Sequence, residues 1–235
     1  VTALGTGVIR PRFDVESLFQ TVARDRVTHL LMVPTTINRM LNLPDFARTD
    51  FSSVTNISYG ASIMPEALLR RALSLLPRVR FTQSYGMTEL SPSAAWLQPK
   101  YHVLDGPLAG RIKSIGQAIH TAEIRIANED DVELPPGDIG EIQVRGPMVM
   151  QGYWKQPELT AKTIRNGWLH TGDIGFFDKD RFLVITDRKS NIYKHASGKF
   201  ISPAHIESAL THHHLILYAM IIGYHRPYTV ALILP

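Results

Sequence analysis

Three short stretches of this chain carry side chains that could hold a phosphorylated ligand. The first covers residues 84–89 (Ser-Tyr-Gly-Met-Thr-Glu) and the second covers residues 171–173 (Thr-Gly-Asp). The third begins at residues 187–189 (Asp-Arg-Lys) and ends at the loop 197–203. Together they supply an aromatic ring, hydroxyl groups, carboxylates and a guanidinium, which are the groups that a protein uses to bind a magnesium nucleotide.

The first stretch follows an apolar run at 79–82 that predicts a strand, and open α/β sheets bind ligands beyond the carboxyl ends of their strands. Tyr85 could stack against a purine, which contributes about 1–3 kcal/mol in nucleic-acid complexes, and Gly86 would let the backbone approach the ligand. Thr88 could donate to a phosphate oxygen, and Glu89 offers the oxygen ligands that Mg²⁺ prefers. An ordinary turn between a strand and a helix would also explain this stretch.

Small residues follow the neighbouring predicted strand at 54–58. Gly60, Ala61 and Ser62 lie between that strand and the next helix, so their backbone could line the other face of an adenine and part of a substrate pocket. We also place Ser84 in this expected nucleotide site. A plain strand–helix connection is the alternative for residues 60–62.

The second stretch ends in Asp173, whose carboxylate could accept hydrogen bonds from both hydroxyls of a ribose. If residues 178–181 form the turn of a hairpin, Asp173 lies opposite Thr186 and emerges at the same end as Arg188. An arginine there could bond ribose or phosphate oxygens. The alternative is an ordinary exposed Asp–Arg pair, which contributes about 0–1 kcal/mol.

The third stretch joins a charged segment to a glycine loop. Ser202 fits the N-cap of a helix, and a proline follows it in the first turn. Ser197 and Gly198 lie in the loop before that helix. Three consecutive histidines at 212–214 cannot converge on one ion, so we interpret them as the favourable end of a helix.

Hydrophobic periodicity predicts the elements that position these groups. Helical spacing predicts helices at 14–26, 35–43 and 65–76, and apolar runs predict strands at 29–33, 54–58 and 79–82. The run at 29–33 is typical of a buried strand. Because helices and strands alternate, we expect a parallel sheet with covering helices.

The pattern changes after about Gly110. Segments 122–127 and 141–145 alternate polar and apolar residues, which predicts antiparallel strands in a small barrel or curled sheet. Later elements are a helix at 157–164, a hairpin of 174–177 with 182–186, a helix at 203–210, and strands at 219–222 and 229–234.

The predicted fold class is therefore α/β: a parallel sheet with covering helices, a small antiparallel β-barrel, and a truncated small α+β domain. We divide the chain into the second part of a large α/β subdomain (1–110), a β-barrel-like subdomain (111–187) and a truncated C-terminal α+β domain (188–235).

Composition excludes several classes of protein. The formal net charge is only +4, and the basic residues form no clustered stripe, so we expect no nucleic-acid partner. The absence of cysteine excludes disulfides and thiolate chemistry and is compatible with a reducing compartment. No apolar run reaches the roughly 18 residues of a membrane span, and the N-terminus does not resemble a signal peptide. We expect a cytoplasmic protein, with peripheral membrane contact left open.

The order and spacing of these motifs resemble the adenylate-forming (AMP-binding) superfamily, which includes acyl-CoA synthetases, luciferases and the adenylation domains of peptide synthetases. Further landmarks are found at 27–35, 59–62, 140–147, 152–154 and 167–175, so the resemblance covers essentially the whole chain. Within the superfamily, residues 198–203 and 229–235 look most similar to long-chain fatty acyl-CoA synthetases.

The resemblance implies a ligase that activates a carboxylic acid, expected to be a fatty acid, with ATP and Mg²⁺ and transfers it to coenzyme A. It implies that Tyr85 stacks on adenine, Thr88 contacts the α-phosphate, Glu89 holds magnesium, Asp173 binds the ribose, and Arg188 binds ribose or phosphate. It also implies that the small C-terminal domain rotates about a hinge near residue 190. The loop with Ser197 and Gly198 would border the pantetheine channel, so the resemblance places both residues in the ligand site.

The sequence departs from the family pattern in several places. It contains no Ser/Thr/Gly-rich phosphate loop ending in Pro-Lys-Gly, and it stops before the late lysine of the family. Ser190 stands where the family has Lys or Asp, and His205 stands where it has Glu. We therefore expect that the chain alone binds nucleotide weakly and does not complete adenylation. The alternatives are a non-catalytic interaction module, an enzyme that loads a carrier protein, and oxidative light-emitting chemistry.

Overall fold

The structure is a computed structural model. It describes residues 5–9, 13–62, 64–194, 200–203, 206, 207, 210, 215, 216, 218–223, 226 and 228–234.

The first part of the described chain consists of a mixed five-stranded sheet together with three α-helices. Its strands lie in the order β1 to β5; β1, β2 and β3 are parallel, and β4 and β5 are antiparallel additions at one edge. The elements are α1 (Val15–Asp25), β1 (His29–Met32), α2 (Pro34–Asn42), β2 (Asn56–Gly60), α3 (Glu66–Leu75), β3 (Arg80–Tyr85), β4 (Ala95–Leu97) and β5 (Gln117–Ala118).

Helix α1 shows how the sequence sets these boundaries. The Asp14 carboxylate accepts the Ser17 N–H at 2.7 Å, which satisfies a donor that the first turn leaves without a partner. Arg26 ends the helix in the left-handed conformation, with φ of 46°. Val15, Phe19 and Val22 share one face and are buried in the core of the first sheet.

Strand β1 corrects one expectation. It is the edge strand of its sheet, and Leu31 is 83% exposed, so only Met32 of its four residues is buried. The apolar run at 29–33 therefore does not indicate a strand buried on both faces.

A buried cluster of three polar side chains, Tyr59, Gln83 and His102, lies against this sheet. The Tyr59 hydroxyl lies 3.0 Å from His102 Nε2 and 3.3 Å from Gln83 Oε1, and His102 Nδ1 lies 3.1 Å from the Gln98 carbonyl. Because a carbonyl can only accept, Nδ1 carries the proton and Nε2 accepts from the tyrosine. Burial lowers the pKa of His102 to about 4, which keeps the imidazole neutral.

The second sheet is antiparallel, as predicted. Its ladder runs in the order β10-β9-β7-β6, and β8 pairs with the start of β9. The elements are β6 (Glu123–Ala127), β7 (Gly140–Arg145), α4 (Pro157–Thr163), β8 (Ile164–Arg165), β9 (Trp168–Phe177) and β10 (Leu183–Arg188).

The second hydrophobic core joins the two sheets. Ile124, Ile142 and Leu169 of the antiparallel sheet pack in the same cluster as Tyr85 and Leu90, which come from the end of β3 and the loop after it. The carboxyl end of β3 is therefore held against the antiparallel sheet.

Two short antiparallel pairs complete the described chain. They are β11 (Tyr193–Lys194) with β12 (Phe200–Ile201), and β13 (Tyr218–Ile222) with β14 (Val230–Leu234). The strands predicted at 219–222 and 229–234 are thus confirmed. In the part of the chain that the structure describes, no helix has both the length and the apolar character to cross a bilayer. The division of the chain at 110 and 187 stays a prediction.

Candidate functional site

Tyr85 is the last residue of β3, so the strand runs three residues beyond the predicted end at Thr82. The tyrosine is only 8% exposed, and its hydroxyl donates to Asp173 Oδ2 at 2.7 Å. The side chain therefore belongs to the second core as well as to the candidate site. Burial, and then the neighbouring Asp173 carboxylate, raise the pKa of Tyr85, so the phenol stays protonated and remains a hydrogen-bond donor.

The loop from β3 to β4 is closed tightly at its base. The Ala94 N–H donates to the Tyr85 carbonyl at 2.8 Å, and the Ser84 and Ser93 hydroxyl oxygens lie 2.6 Å apart. A Cβ on Gly86 would lie 1.9 Å from the Pro92 carbonyl oxygen. The packing of its own loop therefore requires glycine at position 86, and the close approach to a ligand stays a prediction.

Gly60, the last residue of β2, and the two small residues after it lie beside the end of β3. Gly60 pairs with Ser84 in the parallel register, and a Cβ on Gly60 would lie 2.4 Å from the Ser84 carbonyl oxygen. Ala61 takes a left-handed backbone conformation, with φ of 68°, and both Ala61 and Ser62 are exposed. Residues 60–62 and 84 therefore share one edge of the sheet, as predicted.

Asp173 lies in β9 and accepts hydrogen bonds on both carboxylate oxygens. Oδ2 accepts from Tyr85, and Oδ1 accepts from Arg188 Nε at 2.8 Å. Asp173 is 5% exposed, whereas the Arg188 side chain is 59% exposed, so the guanidinium extends from a buried carboxylate toward solvent. Three of the predicted site residues therefore form one hydrogen-bonded group.

The register of the β9–β10 hairpin corrects another expectation. Asp173 lies opposite Arg188, not Thr186. Leu183 rather than Phe182 pairs with Phe177, and the ladder shifts again between Ile185 and Asp187. The longer turn and the bulge each move the pairing by one residue, and together they place Arg188 directly beside Asp173.

Asp187 has a structural role. It is 2% exposed, its Oδ1 accepts the Arg188 N–H at 2.6 Å, and the Ser202 hydroxyl donates to its Oδ2. Its oxygens are therefore committed to the backbone and to the segment after β12.

Glu89 lies in a short 3₁₀ turn (Thr88–Leu90) within the loop, beside the exposed Thr88. Its Oε1 accepts the Tyr153 hydroxyl at 2.7 Å, and its backbone carbonyl accepts the Met150 N–H at 2.8 Å. The hydrogen bond to Glu89 raises the pKa of Tyr153. Sequence analysis missed this partner, because residues 152–154 served only as a family landmark.

Two further residues support Asp173: Thr171, which belongs to the predicted stretch 171–173, and Glu141, to which sequence analysis gave no role. The Thr171 hydroxyl donates to the Ile142 carbonyl at 2.7 Å and accepts the Asp173 N–H at 3.1 Å. The Glu141 carboxylate accepts the Gly172 N–H at 3.2 Å. Glu141 could be found from the sequence only if its neighbour across the sheet were known.

Other predicted positions lie outside the described residues. These are Ser197 and Gly198 of the glycine loop, His205, and the three histidines at 212–214. Across the described ranges, no cluster of three or more His, Asp or Glu side chains could hold a metal ion. An Mg²⁺ that arrives with a nucleotide takes most of its ligands from phosphates and water, so one carboxylate would be enough for it, and magnesium binding by Glu89 stays a prediction.

Comparison with known proteins identifies the family. A family model described as "AMP-binding enzyme" matches residues 2–154. The chain therefore belongs to the AMP-binding enzyme family, the adenylate-forming superfamily that its motifs resemble.

Two curated relatives are acid–CoA ligases. The chain is 33% identical over 210 residues to indoleacetate–CoA ligase from Aromatoleum aromaticum, covering 89% of the chain and 39% of that protein. It is 35% identical over 209 residues to long-chain-fatty-acid–CoA ligase from Escherichia coli, covering 88% of the chain and 35% of that protein.

Two solved structures share the fold. Amide bond synthetase McbA from Marinactinospora thermotolerans matches with a TM-score of 0.84 and 29% identity, over 94% of this chain and 44% of that one. The second is O-succinylbenzoate coenzyme A synthetase (MenE) from Bacillus subtilis in complex with AMP. It matches with a TM-score of 0.78 and 29% identity, over 94% of this chain and 44% of that one. MenE has also been solved with ATP and a magnesium ion. The chain spans less than half the length of all four proteins.

Proposed function

We propose that this chain supplies the adenosine-binding part of an ATP-dependent acid–thiol ligase. The observation that carries the proposal is the convergence of Tyr85, Asp173 and Arg188, which come from three separate segments and meet within hydrogen-bonding distance. Family membership and the AMP complex of MenE support the same ligand.

Each side chain fits one part of AMP by its chemistry. Asp173 keeps lone pairs on both oxygens and can accept from the two ribose hydroxyls. The exposed guanidinium of Arg188 can donate to ribose or phosphate oxygens. The ring of Tyr85 offers an apolar face to a purine, and the edge formed by residues 60–62 and Ser84 lies beside it. Thr88 can donate to the α-phosphate.

The proposed reaction has two steps, adenylation of the acid and transfer of the acyl group to a thiol. A carboxylate oxygen of the acid attacks the α-phosphorus of ATP, and pyrophosphate leaves with the electrons of the broken P–O bond. The sulfur of a thiolate, from coenzyme A, then attacks the carbonyl carbon of the acyl-adenylate, and AMP leaves. When bound, Mg²⁺ neutralises phosphate charge, and Glu89 is the residue that would hold it. The contribution of this chain is to orient the nucleotide and to stabilise charge.

The acid is proposed to be a long-chain fatty acid. The segments at 198–203 and 229–235 and the similarity to the Escherichia coli ligase support this choice. The similarity to indoleacetate–CoA ligase makes an aromatic acid the alternative substrate class. Non-hydrolysable adenylate mimics that carry a palmitoyl or an indoleacetyl group test the choice directly, since tighter binding of the indoleacetyl mimic would reassign the acid.

The experiment that tests nucleotide binding is calorimetric titration of the chain with AMP and with 2′,3′-dideoxy-AMP. We expect wild type to prefer AMP, because only AMP offers hydroxyls to Asp173. Asp173→Asn should lower the affinity for AMP about tenfold and lower that for the dideoxy compound by less, because only AMP also loses the ribose hydroxyl contacts. The matched control is Glu123→Gln on the exposed edge of the same sheet. A folded chain that binds neither compound nor the acyl-adenylate mimics would favour a non-catalytic interaction module.

A further inference from the structure

The β7–β9 ladder opens next to Asp173. Glu141 pairs with Ile174 and Gln143 pairs with His170, so the single residue between them on β7 faces the three residues 171–173 on β9. Gly172, in the middle of this bulge, has φ of 73°. A bulge of this kind removes backbone groups from the ladder and turns the next side chain in a new direction. Here the next side chain is Asp173.

The backbone groups of Gly172 find partners outside the ladder. Its carbonyl accepts the Lys189 N–H at 2.7 Å, and its N–H donates to Glu141 Oε1 at 3.2 Å. Glu141 is only 9% exposed, although it carries a carboxylate. Its carboxylate therefore replaces the carbonyl that a regular ladder would supply to Gly172.

The other oxygen of Glu141 faces the nitrogen atoms of two side chains, His170 and Lys189. His170 Nδ1 lies 3.0 Å from Oε2, and Lys189 Nζ lies 3.8 Å from it. Glu141 could therefore matter in two different ways, either as an acceptor for the Gly172 N–H or as a negative charge beside His170 and Lys189. These two roles require different properties of the side chain, namely reach and charge.

We propose that Glu141 is a positioning residue for Asp173, and that it acts by accepting the Gly172 N–H. Glycine at positive φ can rotate its peptide groups more freely than other residues can, so the carboxylate fixes the one turn that aims Asp173 at Tyr85 and Arg188. Thr171 holds the other side of the bulge through the Ile142 carbonyl. The functional part of the proposal rests on ribose recognition by Asp173.

Two conservative variants of the 235-residue chain separate reach from charge. Glu141→Gln keeps the length and an oxygen acceptor but loses the charge, whereas Glu141→Asp keeps the charge but is shorter by one methylene. Glu123→Asp, whose carboxylate pairs with Arg145 on the exposed face of the same sheet, is the matched control. Urea unfolding of each variant reports stability separately.

The first readout is amide hydrogen exchange at Gly172 and Asp173, which needs no ligand. We expect exchange in Glu141→Asp to be at least about tenfold faster than in wild type, and exchange in Glu141→Gln to stay within about threefold. Faster exchange in Glu141→Gln with normal exchange in Glu141→Asp would overturn the proposal in favour of the charge. Unchanged exchange in both variants would overturn it as well.

The second readout is the ratio of affinities for AMP and 2′,3′-dideoxy-AMP. Glu141→Asp should weaken AMP binding about fivefold to tenfold and leave the dideoxy compound unchanged, because only AMP uses Asp173. An equal loss for both compounds would indicate a general structural defect and contradict positioning. If wild type binds neither compound, ribose recognition fails, and the exchange rates at Gly172 and Asp173 still decide whether Glu141 fixes the bulge.

Discussion

The Tyr85 hydroxyl donates to Asp173 Oδ2 at 2.7 Å, although the two residues lie 88 positions apart in the sequence. Tyr85 ends a strand of the mixed sheet, and Asp173 lies in the antiparallel sheet. The hydrogen bond therefore ties the two sheets together at the point where the proposed adenosine site begins. Stability of the second core and geometry of the site depend on the same contact.

Removing that hydroxyl should cost stability. Tyr85→Phe leaves the buried Asp173 carboxylate with one donor fewer, so we expect the free energy of unfolding to fall by about 1–3 kcal/mol. Urea unfolding at neutral pH measures the loss. Tyr101→Phe is the control, because the Tyr101 ring packs edge-on against Phe182, away from Asp173. A loss as large in the control would mean that the Tyr85–Asp173 bond contributes nothing specific.

The buried His102 should make stability depend on pH. Its pKa is about 4 in the folded state, against an ordinary value of 6.5. Between these two pH values, His102 is protonated in the unfolded chain but neutral in the folded chain. The contribution of neutral His102 to the free energy of unfolding is therefore complete above pH 6.5 and is lost as the pH falls toward 4. The loss amounts to about 3 kcal/mol over that range.

The measurement is the free energy of unfolding by urea across the range between those two pKa values. His102→Gln removes the titrating group, so its stability should fall less steeply than that of wild type as the pH drops. Parallel curves for the two proteins would show that His102 does not stay neutral in the fold.

Tyr153 should affect the response to magnesium. Its hydroxyl holds Glu89 Oε1, so Tyr153→Phe leaves the proposed metal ligand less well oriented. We expect the gain in ATP affinity on adding Mg²⁺ to shrink about threefold in Tyr153→Phe and to disappear in Glu89→Gln. Titration of ATP with and without Mg²⁺ measures the gain, and Glu158→Gln in the first turn of α4 is the control. A full magnesium response in Glu89→Gln would remove Glu89 from the metal site.

Gly86 and Gly110 should differ sharply when replaced by alanine. A Cβ on Gly86 meets the Pro92 carbonyl at 1.9 Å, whereas a Cβ on Gly110 meets nothing within 4 Å. We expect Gly86→Ala to lower the free energy of unfolding by at least about 2 kcal/mol, and Gly110→Ala to stay within about 0.5 kcal/mol of wild type. Similar values for both variants would contradict the tight closure of the loop after β3.

The elements were predictable where one physical signal dominated. Helix α1 was expected from a 3.6-residue apolar repeat that begins after Asp14, and the structure confirms it to within a residue at each end. Strand β3 is predicted at 79–82, whereas in the structure it continues through the polar residues Gln83 and Ser84 to Tyr85. In the structure Gln83 is buried beside Tyr59, so a polar residue continues the inward face of the strand.

The residues proposed to contact the ligand could be predicted from the sequence, but the residues that position them could not. Tyr85, Asp173 and Arg188 were chosen for their chemistry, and the structure brings them together. The bulge in β10 that sets Arg188 opposite Asp173 leaves no mark in a single sequence, because packing across the sheet decides it. Glu141 and Tyr153 were missed because each contacts a residue far away in the chain, at a separation of 31 and 64 positions, respectively.

Ser202 and Arg188 are tied to the two oxygens of one buried side chain, that of Asp187. The chain thus leaves the antiparallel sheet at Arg188 and returns to the same anchor fourteen residues later. Any swing of the segment beyond Ser202 relative to that sheet must first release this hydroxyl and expose a carboxylate that is now shielded from water. The anchor therefore sets a threshold for such a movement, and it lies one residue before Arg188, whose guanidinium is proposed to hold the nucleotide.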